Sequence, residues 1–385
     1  MPDAIRVLMV PSWYPTPEAP LLGTFYREQA QAMAARGAQV TVAYVNVGGD
    51  FRPSHSGITY TCDGGVHTYV YKRPNLTPRW ERGRCFQRTR MLEKLYRRIE
   101  REQGRPDVVN LRSSLLGYEA LSLCEAHDLP LFFMEHSSFV ITASDGSPMR
   151  QRLRAVMEKA AVNACVSTAL KRVMAPFGET RVIPDMVDTE CFRPLPAPPQ
   201  DGAFVFRAMG QLRPIKGYDT LIRAFVRLRA QTDRPVRLEI AGVGGLRETL
   251  QGLIDTGGVG DCCRLVGAVP RDEVPAFMNG CDCFVCSSRT ETLSCVLNEA
   301  AACGKPLIST RCGGPEDIVT EEIGLLTPVD DAEALAGAML RMLDTAAGYD
   351  PQRIREMTVS RFGVETVCAQ LLDACRQAAQ TKRKD

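Results

Sequence analysis

Two glutamates eight positions apart, Glu291 and Glu299, bracket the most chemically suggestive stretch of this 385-residue chain, CFVCSSRTETLSCVLNEAAACGKPLISTRCGGPEDIV. The apolar run ahead of them predicts a buried strand ending at Ser287 or Ser288, and the pattern after it predicts a helix starting near Thr292. At such a start the N–H groups of Thr292, Leu293, Ser294 and Cys295 lack intrahelical acceptors, and the helix dipole is positive there. That combination binds phosphate or diphosphate. Glu291 lies just before this helix, and Glu299 eight positions on is about 12 Å further along at about 1.5 Å per residue. One extended ligand with hydroxyls on both sides of a phosphate spans that distance, as a nucleotide-sugar does. Glu299 could accept from a ribose diol and Glu291 from a hexose hydroxyl. Either glutamate alone reads better as solvated charge; their context is what argues for a site.

The elements that must hold these residues alternate regularly. Residues RVLMV predict a strand, FYREQAQAMAARG a helix ending at Gly37, and QVTVAYVNV a second strand, so the chain opens as a βαβ unit with a parallel sheet. PDVVNL, LPLFFMEH, ACVS and RVIPD predict further strands, with helices at YEALSLCEAHDL and AVMEKAAVNA. CFRPLPAPPQDGA, with four prolines between 194 and 199, reads as a linker. Beyond it the alternation restarts at AFVFRAMG and runs to DAEALAGAMLRML. A final helical segment, ETVCAQLLDACRQAA, precedes the basic tail TKRKD. The expected class is α/β: two Rossmann-like, doubly wound domains facing each other across a cleft, with ligands outside the carboxyl ends of the strands. The expected boundaries are 1–195 for the first domain, completed by a C-terminal helix at 365–385, and 196–364 for the second.

Composition narrows the function classes. With 47 basic and 45 acidic side chains the formal net charge is +2, which gives no global drive toward nucleic acid. The 15 cysteines are odd in number and scattered, unlike a secreted disulfide framework. The start, MPDAIRVLMVPSWYP, lacks the pattern of a secretory leader, and the apolar runs fall far short of the roughly 20 residues of a membrane span. The expectation is a cytoplasmic protein whose cysteines pack as small apolar residues. Cys281, Cys283 and Cys286 sit in a predicted buried strand with no histidine nearby, which favours core over zinc.

Five segments in order resemble the retaining glycosyltransferases of family four, the glycosyl transferases group 1, which have the GT-B fold. They are PSWYPTPEAPLLGTFYREQAQAMAARGAQVTV, VIPDMVDTECFRP, GQLRPIKGYDTLIRAF, the E-x7-E stretch with EAAACGKPLISTRCGGPEDIV, and GLLTPV. The resemblance implies transfer of a sugar from a nucleotide-sugar donor to a hydroxyl acceptor, a glycan or a lipid-linked glycan. It assigns Glu299 to the donor ribose. Glu291 and the backbone at Leu293, Ser294 and Cys295 go to the sugar and diphosphate, and Lys216 stabilises the leaving group. The family arginine five residues before that lysine is Gln211 here, with Arg213 nearby as a substitute. Gly23 matches the glycine that lets the first loop approach the diphosphate, and His136 the histidine facing the donor sugar. Alternation along the strand leaves Glu135 as the other cleft-facing choice. Gly244, in G-x-G-G after VRLEIAG, would adjoin the donor and Val269 the base. No nucleophile is nominated; a front-face mechanism is implied.

The chain has no Asp-x-Asp motif, in keeping with a metal-independent reaction, and no cofactor is expected beyond the nucleotide-sugar itself. Residues 79–105 carry ten Lys or Arg and four Glu, interleaved with Trp80, Phe86, Met91, Leu92, Leu95, Tyr96 and Ile99. They predict an amphipathic helix that packs on the first domain, or that also meets an anionic membrane surface or a lipid-diphosphate acceptor, peripheral on the inner face of the membrane. Alternatives on the same architecture are a nucleotide-sugar epimerase or hydrolase and a non-catalytic nucleotide-sugar sensor. A nicotinamide-dependent dehydrogenase is disfavoured, because PSWYPT follows the first strand where G-x-G-x-x-G would be needed.

Overall fold

The computed structural model describes residues 4–20, 22–48, 56–77, 80–196 and 202–381. Arg79, residues 197–201 of the expected linker and the tail from Lys382 lie outside the described residues. The chain divides into two compact units: unit 1 comprises Met1–Val166, Leu170–Pro184 and Val367–Asp385, and unit 2 comprises Ser167–Ala169 and Asp185–Thr366.

Unit 1 contains β1 (Arg6–Pro11), α1 (Thr24–Ala35), β2 (Gln39–Gly48), β3 (Gly57–Asp63), β4 (Val66–Pro74), α2 (Glu81–Gln103), β5 (Val108–Arg112), α3 (Gly117–His127), β6 (Leu131–Glu135), α4 (Ser138–Thr142), α5 (Pro148–Lys159), β7 (Val162–Cys165), most of α6 (Thr168–Met174) and β8 (Arg181–Val182). Its eight strands run in the order β3-β4-β2-β1-β5-β6-β7-β8. All neighbours pair in parallel except β3 with β4. That hairpin, ITYTCD–GG–VHTYVYKR, was absent from the sequence expectation. Its outer strand is largely exposed, so it lacks the apolar run that marks the buried strands. By contrast β1 and β5 are buried almost throughout, as strands with helices on both faces must be.

Unit 2 contains β9 (Phe204–Met209), α7 (Tyr218–Arg229), β10 (Val236–Ala241), α8 (Arg247–Thr256), β11 (Cys263–Gly267), α9 (Val274–Asn279), β12 (Cys283–Cys286), α10 (Cys295–Ala302), β13 (Leu307–Thr310), α11 (Pro315–Ile318), β14 (Gly324–Thr327), α12 (Ala332–Thr345) and α13 (Pro351–Phe362). α14 (Val364–Thr381) begins in unit 2 and lies mostly in unit 1. The six strands are ordered β11-β10-β9-β12-β13-β14, all parallel. Phe206, Leu221, Phe225, Ile240 and Met339 form part of one buried cluster beneath α7 and α12. Burying each such side chain contributes about 1.5–3 kcal/mol. Asp331 caps α12 by accepting from the N–H groups of Glu333 and Ala334.

Both sheets reverse their winding direction in the middle. In unit 1 the chain builds outward from β1 to one side, then restarts at β5 on the other. In unit 2 the switch falls between β9 and β12. Loops leaving adjacent strands diverge there, and their carboxyl ends leave room for a ligand. Cys281, Cys283 and Cys286 are buried in and just before β12, and burial pushes the Cys281 thiol up to about 12.

Candidate active site

At the switch point of unit 2, the loops after β9 and β12 bring together residues 75 positions apart. Lys216 Nζ donates to Glu291 Oε1 at 2.5 Å, and Ser288 Oγ donates to the same oxygen at 2.7 Å. Lys216 closes a 3-10 turn, Pro214–Lys216, and Gly217 follows at φ 61° to start α7. A Cβ on Gly217 would stand 2.1 Å from the Ser287 carbonyl oxygen, so only glycine lets the turn lie against the end of β12. Ser287 Oγ donates to the Lys216 carbonyl at 2.9 Å, and the Arg289 N–H to that of Ile215 at 2.7 Å. The Arg289 guanidinium reaches the Pro214 carbonyl, Asp219 and Asp330. Arg289 thus staples the lysine turn to the strand end. Burial pulls the Lys216 pKa down, but the adjacent Glu291 carboxylate more than offsets it, and the net direction is up. The side chain is therefore a cation at neutral pH.

The helix after Glu291 starts later than the sequence pattern indicates. Glu291 pairs with Gly313 in an isolated parallel bridge, its N–H donating to the Cys312 carbonyl at 3.0 Å. Leu293 is buried, and α10 begins only at Cys295. The amides at the helix start are accordingly those from Cys295 onward, and the eight-residue helical rise expected between the glutamates does not apply. Ser294, the N-cap residue, adopts φ 89° and ψ 82°, a conformation that costs a non-glycine residue about 1–3 kcal/mol. The turn at Ser294 swings the chain from the bridge into α10.

Glu299 lies on α10, 7% exposed, with Oε1 accepting from Arg271 Nη1 at 2.5 Å. Arg271 also lies over the Phe192 ring, 4.9 Å from its centroid. The sequence reading missed Arg271, since an arginine 28 residues before a glutamate carries no local signal. Arg213 is exposed, with Nη1 3.5 Å from Gln211 Oε1. Gly244 follows β10 in a loop joined to Leu212, whose N–H donates to the Val243 carbonyl at 2.9 Å. Val269 is half-buried just beyond β11.

Gly23 and His136 belong to unit 1. Gly23 starts α1 at φ 71°, and a Cβ there would lie 2.8 Å from the Trp13 carbonyl oxygen. His136, 6% exposed, stacks edge-on against Tyr26 at 4.9 Å and lies 5.7 Å from Phe25. Its Nε2 is 3.3 Å from Nη1 of buried Arg112, which also donates to Gln29 at 2.7 Å. Glu135 takes a different part. Fully buried, it accepts from the Ser114 N–H and hydroxyl and from the N–H groups of His136 and Ser137. Its carboxylate ties the end of β6 to the turn after β5.

Two doubly wound parallel-sheet units define the GT-B class of fold. Family models match both units in turn: Glycosyltransferase Family 4 over residues 22–191 and Glycosyl transferases group 1 over residues 196–357. The chain belongs to this family of glycosyltransferases. A GDP-mannose-dependent alpha-(1-6)-phosphatidylinositol monomannoside mannosyltransferase of Mycobacterium tuberculosis is 30% identical over 234 residues, 56% of this chain and 60% of the relative. The chain thus matches three fifths of that protein's length. Sucrose-phosphate synthase from Thermosynechococcus elongatus has a TM-score of 0.78 at 21% identity, covering 97% of this chain and 98% of that one. Anabaena HepE in complex with UDP-glucose has a TM-score of 0.73 at 18% identity, with 96% and 98% covered. At these identities the likeness is one of fold.

Proposed function

We propose that this chain is a retaining glycosyltransferase that moves a sugar from a nucleoside-diphosphate sugar to a hydroxyl of a glycan or lipid-linked glycan, as in glycoconjugate biosynthesis. The meeting of Lys216 and Glu291 beside the start of α10 carries this reading. An ammonium has three N–H donors; Glu291 takes one, and the others face a diphosphate. The amides opening α10 add a positive dipole end. Glu291 Oε1 is engaged by Lys216 and Ser288, which leaves Oε2 for a donor-sugar hydroxyl. Glu299 takes the ribose diol, with Arg271 holding its carboxylate in place.

In the reaction the bond from the anomeric carbon to the diphosphate oxygen breaks, and the acceptor oxygen bonds to the same face of that carbon. The acceptor proton passes to the departing phosphate oxygen. Lys216 and the helix-start amides stabilise charge where it develops. The donor is the co-substrate and no resident cofactor takes part. A screen of UDP-, GDP- and ADP-sugars by thermal shift, followed by product analysis with the sugar that binds, tests the assignment. Release of nucleoside diphosphate that no acceptor stimulates would favour a hydrolase instead.

For the acceptor side, we infer a cytoplasmic enzyme peripheral on an anionic membrane. No helix among the described residues is long and apolar enough to cross a membrane. Met91, Leu92, Leu95, Tyr96 and Ile99 of α2 are buried, whereas Trp80 and Phe86 are 61% and 64% exposed and Leu76 is 63% exposed. The two aromatics therefore stand outside the packed stripe into which the sequence pattern put them. Exposed Arg82 and Arg90 flank them, the composition of an interfacial anchor. Sedimentation with vesicles of phosphatidylglycerol should pellet the protein at low salt, and Trp80→Ala/Phe86→Ala should not pellet; equal pelleting of both removes the inference.

A further inference from the structure

The switch point of unit 1 carries a cavity that none of these assignments uses. It is an open cleft with a volume of about 350 Å³, room enough for a small polar ligand. Ser12 after β1, Asn46 on β2, Leu115 after β5, Arg84 and Arg88 on α2, and Arg152 on α5 line it. Three guanidiniums converge there on one side chain. Arg84 Nη2 contacts Glu81 Oε2, while Arg88 Nη2 and Arg152 Nη2 lie 3.3 and 3.1 Å from Oε1. Glu81 is itself exposed, its side chain 46% accessible, and it sits on the first turn of α2. Arg88 also pairs with fully buried Glu119 at 2.6 Å.

Three cations thus face two carboxylates, with a net charge of +1 that becomes +2 if Glu81 swings aside. Arg152 is 7% exposed, and its Nε has no hydrogen-bond partner among the described residues. A buried guanidinium with an unfilled donor is costly unless something supplies an acceptor. Glu81 supplies two oxygens to a fork of planar donors better matched to the three or four oxygens of a phosphoryl group.

We propose that this cavity is a phosphoryl-binding subsite, in which Arg84, Arg88 and Arg152 hold a phosphate or diphosphate carried by the acceptor and Glu81 fills the place until it arrives. The proposal deepens the transferase reading and rests on unit 1 serving the acceptor. It limits the acceptor class to molecules bearing a phosphoryl group, whether on a lipid or on a soluble sugar phosphate.

Inorganic pyrophosphate is the probe. The chain has only two tryptophans, Trp13 and Trp80, and each is the sequence neighbour of a lining residue, Ser12 and Glu81. Pyrophosphate should give a saturable change in their fluorescence. Arg84→Gln should weaken it about tenfold, the effect of one charge-assisted hydrogen bond. Glu81→Gln should tighten it about threefold, because a competing exposed carboxylate is gone; a purely structural glutamate would give no gain. Lys216→Ala should leave this signal in place, which separates the subsite from the donor site. Vesicles containing phosphatidic acid that compete with pyrophosphate assign a lipid-borne phosphate, and absence of competition assigns a soluble one. A signal that survives Arg84→Gln and vanishes in Lys216→Ala, or no saturable signal at all, overturns the proposal. Donor turnover by the same preparation reports separately on the transferase reading.

Discussion

Both units gather charge at the carboxyl ends of their central strands, but they balance it differently. In unit 2 a single lysine meets a single glutamate, each on a short loop whose backbone is fixed by Ser287, Arg289 and the Glu291–Gly313 bridge. In unit 1 the charge sits on long helical side chains, three arginines around one exposed glutamate. The first arrangement is held by backbone hydrogen bonds and suits a fixed reacting group, because stabilising a leaving group needs donors already in place. The second depends on side chains with many rotamers and suits a ligand that displaces an internal stand-in. Our proposals place catalysis at the rigid site and acceptor recognition at the adaptable one.

The sharpest way to break that division is Lys216→Ala. It should lower the rate of sugar transfer by about 10²–10³-fold, the cost of one leaving-group donor, while circular dichroism and melting temperature stay near the parent's. A loss under threefold in a discontinuous assay of labelled product would leave unit 2 without its reacting cation. Of similar size is Arg88→Leu in unit 1. It strands the fully buried Glu119 carboxylate, and breaking such a pair costs about 3–5 kcal/mol. Urea unfolding should show that loss, and replacing Glu119 together with Arg88 should recover much of it. Glu299→Ala should weaken donor binding about tenfold in calorimetry, as loss of a charge-assisted bond does; binding at parental strength removes the ribose role. The smallest effect is Ser294→Gly. It relieves the positive φ and should raise stability by about 1 kcal/mol. A lowered melting temperature would mean that the serine hydroxyl, 3.9 Å from Cys286 Sγ, matters more than the strain.

The same contrast explains what could be read from residue order. The parallel strands, the lysine turn and the E-x7-E stretch all follow from short-range pattern: apolar runs, glycine and proline positions, and helix starts. What stayed hidden was joined across the chain. Arg271 finds Glu299 over 28 residues, and Arg152 finds Glu81 over 71. The β3–β4 hairpin was missed because an exposed edge strand has no apolar run, and the buried stripe of α2 was drawn too wide because Trp80 and Phe86 share its spacing but not its burial. The helix start was placed three residues early because the bridge from Glu291 to Gly313 joins residues far apart in the chain and leaves no local signal. Glu135 and His136 looked interchangeable at a strand end until four hydrogen bonds showed Glu135 occupied with the backbone and Ser114.

The claim on which the rest depends is that unit 2 grips a nucleoside diphosphate through Lys216 and the start of α10. Calorimetric titration of UDP, GDP and ADP into the parent and Lys216→Ala proteins tests it most directly. The account predicts saturable binding of at least one of the three to the parent, weakened about tenfold or more in the variant. Equal affinity in the two proteins, or no binding of any of the three to the parent, would contradict it.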